Sequence, residues 1–356
     1  MRYKLLGKSG LRVSEICLGA MTFGEEWGWG ASKEESHKMF DVFAEAGGNF
    51  IDTANIYTGG TSEKYVGEFI SSERGRFVLA TKYVNNMRRG DPNAGGSHRK
   101  NLVQSLEGSL KRLNTDYIDL YWVHVWDFMT PVEEVMRALD DMVRAGKVLY
   151  VGVSDAPAWI VSQANTLAEL KGWTPFIGLQ IEYSLVQRTP ERDLLPMARA
   201  FDIGVTAWSP LGSGVLTGKY NKENQQKRKS EPNRLAAMKD MAGEDWVNDL
   251  LSDRNMSIAE EVREIANEIG CSPAQVAINW IRQQKGVIIP IIGARKVSQI
   301  KDNLGCLDFE LTREQLKRLD EKSRIELGFP HDFLASEFIQ NIVYGGTLSL
   351  IHNHRV

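Results

Sequence analysis

Apolar residues along the chain follow two alternating patterns. Short continuous runs, rich in β-branched and aromatic residues, occupy 15–18, 49–51, 77–81, 118–123, 148–153, 177–181, 204–208 and 287–292. Longer stretches with apolar positions at the helical period fill 32–46, 62–71, 97–113, 131–145, 157–171, 190–201 and 272–284. A run that is apolar at every position predicts a strand buried on both faces, and strands joined through helices are parallel. Helix punctuation agrees: Ser62, Ser97 and Pro131 read as starts, and Gly146 and Gly172 sit where helices should stop.

Eight strand–helix steps predict a closed (β/α)8 TIM barrel, read as one domain over 1–356. The rival architecture, an open doubly wound sheet, calls for Gly-x-Gly-x-x-Gly after its first strand, and that motif is missing. Residues 1–14 read as an N-terminal hairpin turning at Ser9-Gly10. Segment 211–255, after strand seven, is too long for an ordinary connection. It starts Gly-rich and then turns basic at Lys227-Arg228-Lys229, read as a solvated loop. The tail, 327–356, carries Phe329, Phe333, Phe338, Ile342, Tyr344 and Leu348. Those spaced apolar residues predict that it folds over the barrel mouth or packs against another subunit.

Composition narrows the class. With 42% hydrophobic and 25% charged residues in 356, disordered and low-complexity classes are excluded. The net charge of −3 gives no reason to expect nucleic acid or an anionic membrane as partner. Cys17, Cys271 and Cys306 are odd in number and unpaired in spacing, which fits a reducing, cytoplasmic setting. The first residues lack the apolar core of a secretory leader, and the run at 287–292 is far too short to span a bilayer. His352 and His354 have no carboxylate partner at ligand spacing, so no metal is expected.

Three consecutive strands end in an ionisable residue: Asp52, Lys82 and His124. Tyr57 follows Asp52 by one short loop. Any one of these could be an ordinary strand-end ion pair. Together they converge on the C-terminal face of the barrel, where catalytic groups gather. A Tyr hydroxyl ionises near ~10, and a neighbouring ammonium is expected to lower that value. Asp52 would hold Lys82 charged, and His124 would polarise a substrate oxygen. The set is a proton donor facing a carbonyl or alcohol oxygen, and it lacks a hydride source, so a cofactor is implied.

The residues around these positions resemble the aldo-keto reductase superfamily. The resemblance runs through Gly48-Asn49-Phe50-Ile51-Asp52-Thr53-Ala54-Asn55-Ile56-Tyr57, then Leu113-Asn114-Thr115-Asp116-Tyr117-Ile118-Asp119-Leu120-Tyr121 with His124. It ends at Pro290-Ile291-Ile292-Gly293-Ala294-Arg295-Lys296 with Gln299 and Asn303. It implies a catalytic tetrad of Asp52, Tyr57, Lys82 and His124, with Tyr57 as general acid, reducing an aldehyde or ketone with NADPH. It further implies cofactor contacts at Gly19, Met21, Ser154, Asp155 and Gln180, with Trp208 stacking on nicotinamide. Where this chain has Asp155 the family often has Asn, so an acceptor is kept and an amide donor lost. Ser209, Pro210, Leu211, Gly212, Ser213 and Gly214, with Lys219 and Arg234, would take the pyrophosphate. Gly293 and Arg295 enter a helix with Gln299, Asp302 and Asn303, further cofactor contacts, and that helix N-terminus with Arg295 beside it would take the ribose 2′-phosphate.

Trp27, Trp29, Trp126 and Phe128 are candidates for an apolar substrate wall. Two other functions compete. One is a non-enzymatic nicotinamide redox sensor, since the resemblance extends to potassium-channel β subunits. The other is a Schiff-base aldolase using Lys82. The partner expected is a small carbonyl compound, and association into a homo-oligomer is left open.

Overall fold

Each apolar run becomes a strand in the computed structural model, which describes residues 1–220 and 243–353. Arg234, the Lys227-Arg228-Lys229 triplet and His354 lie outside the described residues. The strands are β1 (Tyr3–Leu5), β2 (Arg12–Ser14), β3 (Cys17–Gly19), β4 (Phe50–Asp52) and β5 (Val78–Tyr83). They continue with β6 (Ile118–Val123), β7 (Val148–Ser154), β8 (Phe176–Glu182), β9 (Gly204–Trp208) and β10 (Ile288–Ile292). β3 to β10 close into a parallel barrel in the order β10-β3-β4-β5-β6-β7-β8-β9, ringed by helices. The predicted TIM barrel is therefore present, with the N-terminal hairpin as β1 and β2.

The core has two zones. One fills the space between strands and helices, and the other fills the lumen. In the lumen Trp122 lies flat over two glycines. A Cβ on Gly152 would come within 2.4 Å of its ring, and one on Gly178 within 2.7 Å. The hairpin plugs the N-terminal end: Leu6 and Val13 join the lumen cluster, and Lys4 Nζ donates to the Ile288 carbonyl at 2.9 Å.

Several boundaries move for physical reasons. The first barrel strand begins at Cys17 rather than at 15, because Glu15 turns aside to accept from Arg282 and the Arg2 amide. Ser62 is not a helix cap. The helix Thr61–Ile70 starts from left-handed Gly60, and Ser62 Oγ instead donates to the Ala20 carbonyl at 2.7 Å. At the next helix, Arg99–Leu113, the cap is His98 rather than Ser97, its ring accepting from the Asn101 amide. The segment after β9 is not loop to its end: helices Glu244–Leu250 and Asp253–Ile269 occupy its last part and beyond. The second of these buries Ile258, Val262 and Ile265 at helical spacing. No helix among the described residues is long and apolar enough to cross a membrane.

Candidate active site

Register places the ionisable groups together. In β4 Asp52 lies beside Ala80 of β5, and Lys82 of β5 lies beside Trp122 of β6. Lys82 is fully buried, and its Nζ pairs with Asp52 Oδ2. The same nitrogen donates to the Thr53 carbonyl at 2.8 Å and to Tyr57 Oη at 3.1 Å. Three donors thus meet three acceptors, which is what makes a buried ammonium tolerable. Asp52's other oxygen accepts from Gln180 Nε2 at 3.1 Å. Tyr57 reaches this cluster because the chain turns sharply after it. Thr58 takes a left-handed conformation (φ 48°), and its hydroxyl is anchored by donating to the Phe23 carbonyl at 2.7 Å. The Tyr57 ring stands edge-on to His124, with centroids 5.8 Å apart.

Burial is the largest influence on Lys82 and pulls its pKa down, but the Asp52 charge and the bonds to Asp52 and Tyr57 leave it above its ordinary value. For Tyr57 the balance corrects the sequence-based expectation. Lys82 does favour the phenolate, yet desolvation outweighs it and the hydroxyl's pKa is raised, not lowered. Tyr57 is therefore a protonated donor across neutral pH. Burial, and then Lys82, push His124 well below its usual value, so its imidazole is neutral.

Asn85 is a neighbour the sequence did not single out. Its Nδ2 lies 2.8 Å from His124 Nδ1. With the amide donating to Nδ1, the ring proton sits on Nε2. Asn85 is brought there by Val84, a β-branched residue at φ 99°. Strain of that kind persists only where the surroundings impose it.

The segments expected to hold a cofactor ring the same mouth. Ser154 is buried at the end of β7, across the ladder from Gln180. Asp155 is open to solvent but crowded by neighbouring loops. That desolvation raises its carboxyl, opposed by the hydrogen bond from Trp208 Nε1 at 3.1 Å. After β9, Ser209, Gly212, Ser213 and Gly214 all have positive φ. The succession coils the loop into tight turns, the Gly212 amide donating to the Ser209 carbonyl and the Gly214 amide to the Leu211 carbonyl, both at 2.9 Å. A Cβ on Gly214 would fall 2.5 Å from Lys219 Nζ, so glycine there lets an ammonium lie against this loop. Pro210 is buried beneath this loop and Leu211 half-buried. Across the mouth, Gly19 ends β3, with Met21 half-buried just beyond it. Gly293 is exposed after β10. The Arg295 amide donates to Gln299 Oε1 at 2.8 Å, and its guanidinium makes no ion pair among the described residues. Asp302 accepts from Ser272 Oγ and Gln275 Nε2, and Asn303 is buried.

The sequence model of the "Aldo/keto reductase family" matches residues 15–324. The chain belongs to that family. It is 38% identical over 340 residues to norsolorinic acid reductase of Aspergillus flavus, covering 93% of this chain and 83% of that protein. It is 37% identical over 351 residues to aryl-alcohol dehydrogenase [NADP(+)] of Phanerodontia chrysosporium, covering 94% and 89%. An aryl-alcohol dehydrogenase of Pestalotiopsis microspora is 35% identical over 343 residues, covering 94% and 85%.

In this aldo/keto reductase the four aromatic wall candidates separate. Trp27 stands edge-on to Tyr57 with centroids 6.3 Å apart, and Trp29 packs against Trp27 at 5.6 Å. Phe128 projects at the rim with φ 55°. Trp126 is buried in the packing between barrel and helices. The tail does not lie over its own mouth as an apolar cover: its large apolar side chains are exposed and none joins the core.

Proposed function

We propose that this chain reduces an aldehyde or ketone to an alcohol with NADPH, and that Tyr57 is the proton donor. The observation that carries the reading is the buried chain Asp52–Lys82–Tyr57 ending at the mouth beside neutral His124. A bound nicotinamide cofactor would supply hydride to the carbonyl carbon. The residues present fit such a cofactor, since a left-handed, Gly-rich loop with the Lys219 ammonium against it suits pyrophosphate. Arg295, without an ion pair among the described residues, suits a 2′-phosphate, which favours NADPH over NADH. Trp208, held by Asp155, is the surface on which the nicotinamide would stack, with Ser154 and Gln180 at its carboxamide. Gly19 and Met21 complete the near wall, and Gln299 steadies the Arg295 backbone. Asp302 and Asn303 support that segment from behind.

During reduction the carbonyl oxygen would accept from Tyr57 Oη and His124 Nε2. The proton passes from Tyr57 as the oxygen gains charge, and Lys82 stabilises the phenolate left behind. Lys82 held as an ammonium by Asp52 is a poor nucleophile, which weighs against Schiff-base chemistry. Trp27, Trp29 and Phe128 suit a flat apolar substrate, and relatives named for aryl alcohols put aromatic aldehydes first in a substrate panel. Buried Cys17 and Cys306, both free thiols, fit a reducing cytoplasm.

The test is loss of NADPH absorbance with a panel of aromatic and aliphatic carbonyls. Sustained turnover with at least one aromatic aldehyde is expected. Tight NADPH binding without turnover on any of them would favour the redox sensor instead.

A further inference from the structure

Residues 327–353 form an arm with two helices, His331–Ala335 and Glu337–Tyr344, and a final turn at Leu348–Leu350. Its base is tied down. Arg192 Nη2 donates to the Glu326 carbonyl at 2.8 Å, and His331 Nε2 lies 3.4 Å from Asp193. Arg192 and Asp193 follow the C-terminal end of β8, so the arm leaves the barrel at the rim of the mouth. Beyond that base it is apolar and uncovered. Phe329 is 84% exposed, Phe338 68%, Ile342 63% and Leu350 81%. The arm exposes on the order of 1,000 Å² of apolar surface, against the few hundred Å² a monomer usually leaves contiguous and the ~800 Å² each partner gives to a stable interface. An eight-residue helix is marginal in water by itself, so this arm calls for apolar cover that its own barrel does not supply.

The barrel has a matching deficit. Phe128, Met129 and Trp159 are 68%, 90% and 61% exposed. Phe128 and Met129 sit on the connection after β6, and Trp159 in the first turn of the helix Ala158–Lys171 after β7; the two connections are joined where the Trp126 amide donates to the Asp155 carbonyl at 3.4 Å. Both surfaces are apolar, both lie at the mouth end, and each lacks apolar cover among the described residues of its own chain.

We propose that the arm of one copy seats on the Phe128–Met129–Trp159 rim of a second copy, two arms being exchanged about a twofold axis. Such an exchange is self-complementary and closes at two chains. It also brings the arm of one copy beside the opening of its partner's site, so the dimer, not the single chain, presents the finished substrate entrance.

The experiment is light scattering coupled to gel filtration on the full chain and three samples. These are F338D/I342D in the arm, M129E/W159D on the rim, and an equimolar mixture of the two variants. Thermal unfolding confirms that each exposed-site variant still folds. The wild type should run at twice the chain mass, and each variant at the mass of one chain. Loss of central apolar anchors should weaken dimerisation by roughly thirtyfold or more. The mixture should recover dimer, because one intact arm still meets one intact rim. A wild type that runs as a single chain would overturn the proposal, placing the arm on its own barrel. A dimer that survives the rim change, or a mixture that stays monomeric, would overturn the seat.

Discussion

The two ends of the barrel each bury an ion pair, and they use it differently. At the N-terminal end Arg282 binds Glu15 at 2.8 Å and also donates to Asn279 Oδ1 and the Cys306 carbonyl, while Glu15 accepts from the Arg2 amide. Those partners all belong to the scaffold. At the mouth Lys82 binds Asp52 just as deeply, but its third partner is Tyr57, whose hydroxyl stands at the opening. Backbone geometry leans the same way, although Asn114 and Asp202, before β6 and β9, are left-handed at the N-terminal end too. Val84, Phe128, Asp155 and Ser209 all lie past the C-terminal ends of strands and all have positive φ. Buried charge is thus structural where its neighbours close the circuit, and chemical where one link is left for a substrate.

The largest effects should separate the two pairs. Tyr57→Phe removes the link itself. Turnover of ketones should fall about 10²–10⁴-fold, with unfolding and NADPH binding near wild type, read by single-turnover rates and fluorescence titration. An activated aldehyde would show a smaller loss, since it needs less proton assistance. Near-normal ketone turnover would falsify Tyr57 as the acid.

Arg282→Met at the other end should leave Glu15 buried without its partner. A loss of about 3–5 kcal/mol in chemical denaturation is expected, with kcat of the folded protein unchanged. If kcat falls with stability held by ligand, the contrast between the ends is wrong.

The barrel itself was legible because strands buried on both faces leave unbroken apolar runs, and because Asp52, Lys82 and His124 each end one. The helix Asp253–Ile269 was less visible. Its large inward apolar residues, Ile258, Val262 and Ile265, are outnumbered by charged neighbours such as Glu260, Glu261 and Arg263. Asn85 left no pattern at all, since its role depends on how Val84 bends the chain after β5. The sign of the Tyr57 shift could not be read either: proximity to Lys82 follows from the motif, but the degree of desolvation follows only from packing. Ser62 and Ser97 looked like caps, but the Ser62 hydroxyl donates to the Ala20 carbonyl instead, and the Ser97 amide is held by Asp127 while His98 takes the capping role.

Smaller effects sharpen the comparison. Arg295→Ala should weaken NADPH by roughly tenfold or more, since a charged hydrogen bond is worth about 1.5–3 kcal/mol. NADH should be little affected, and equal losses for both cofactors would make Arg295 structural. The last effect concerns pH. The folded-state pKa of His124 lies well below the ~6.5 of an unfolded chain. The unfolded chain therefore takes up a proton that the folded site refuses. This contribution to stability is intact above ~6.5 and declines as pH falls below it, by at most about 1.4 kcal/mol per pH unit. Lys82 and Tyr57, the ionisable neighbours at the ring, stay protonated throughout this range. His124→Gln should flatten the acid limb of a stability-against-pH curve, and an unchanged slope would assign it to another group.

Trp122, Gly152 and Gly178 carry a consequence for how this sequence can drift. With the indole in place, a methyl group added at either glycine meets the ring at under 3 Å. Shrinking Trp122 first would open a void in the lumen directly beneath the site, costing about 3–5 kcal/mol for an alanine. Every single step away from this trio passes through a clash or a hole. The three positions can be exchanged for another packing only together, so they form one inherited unit although no substrate touches them.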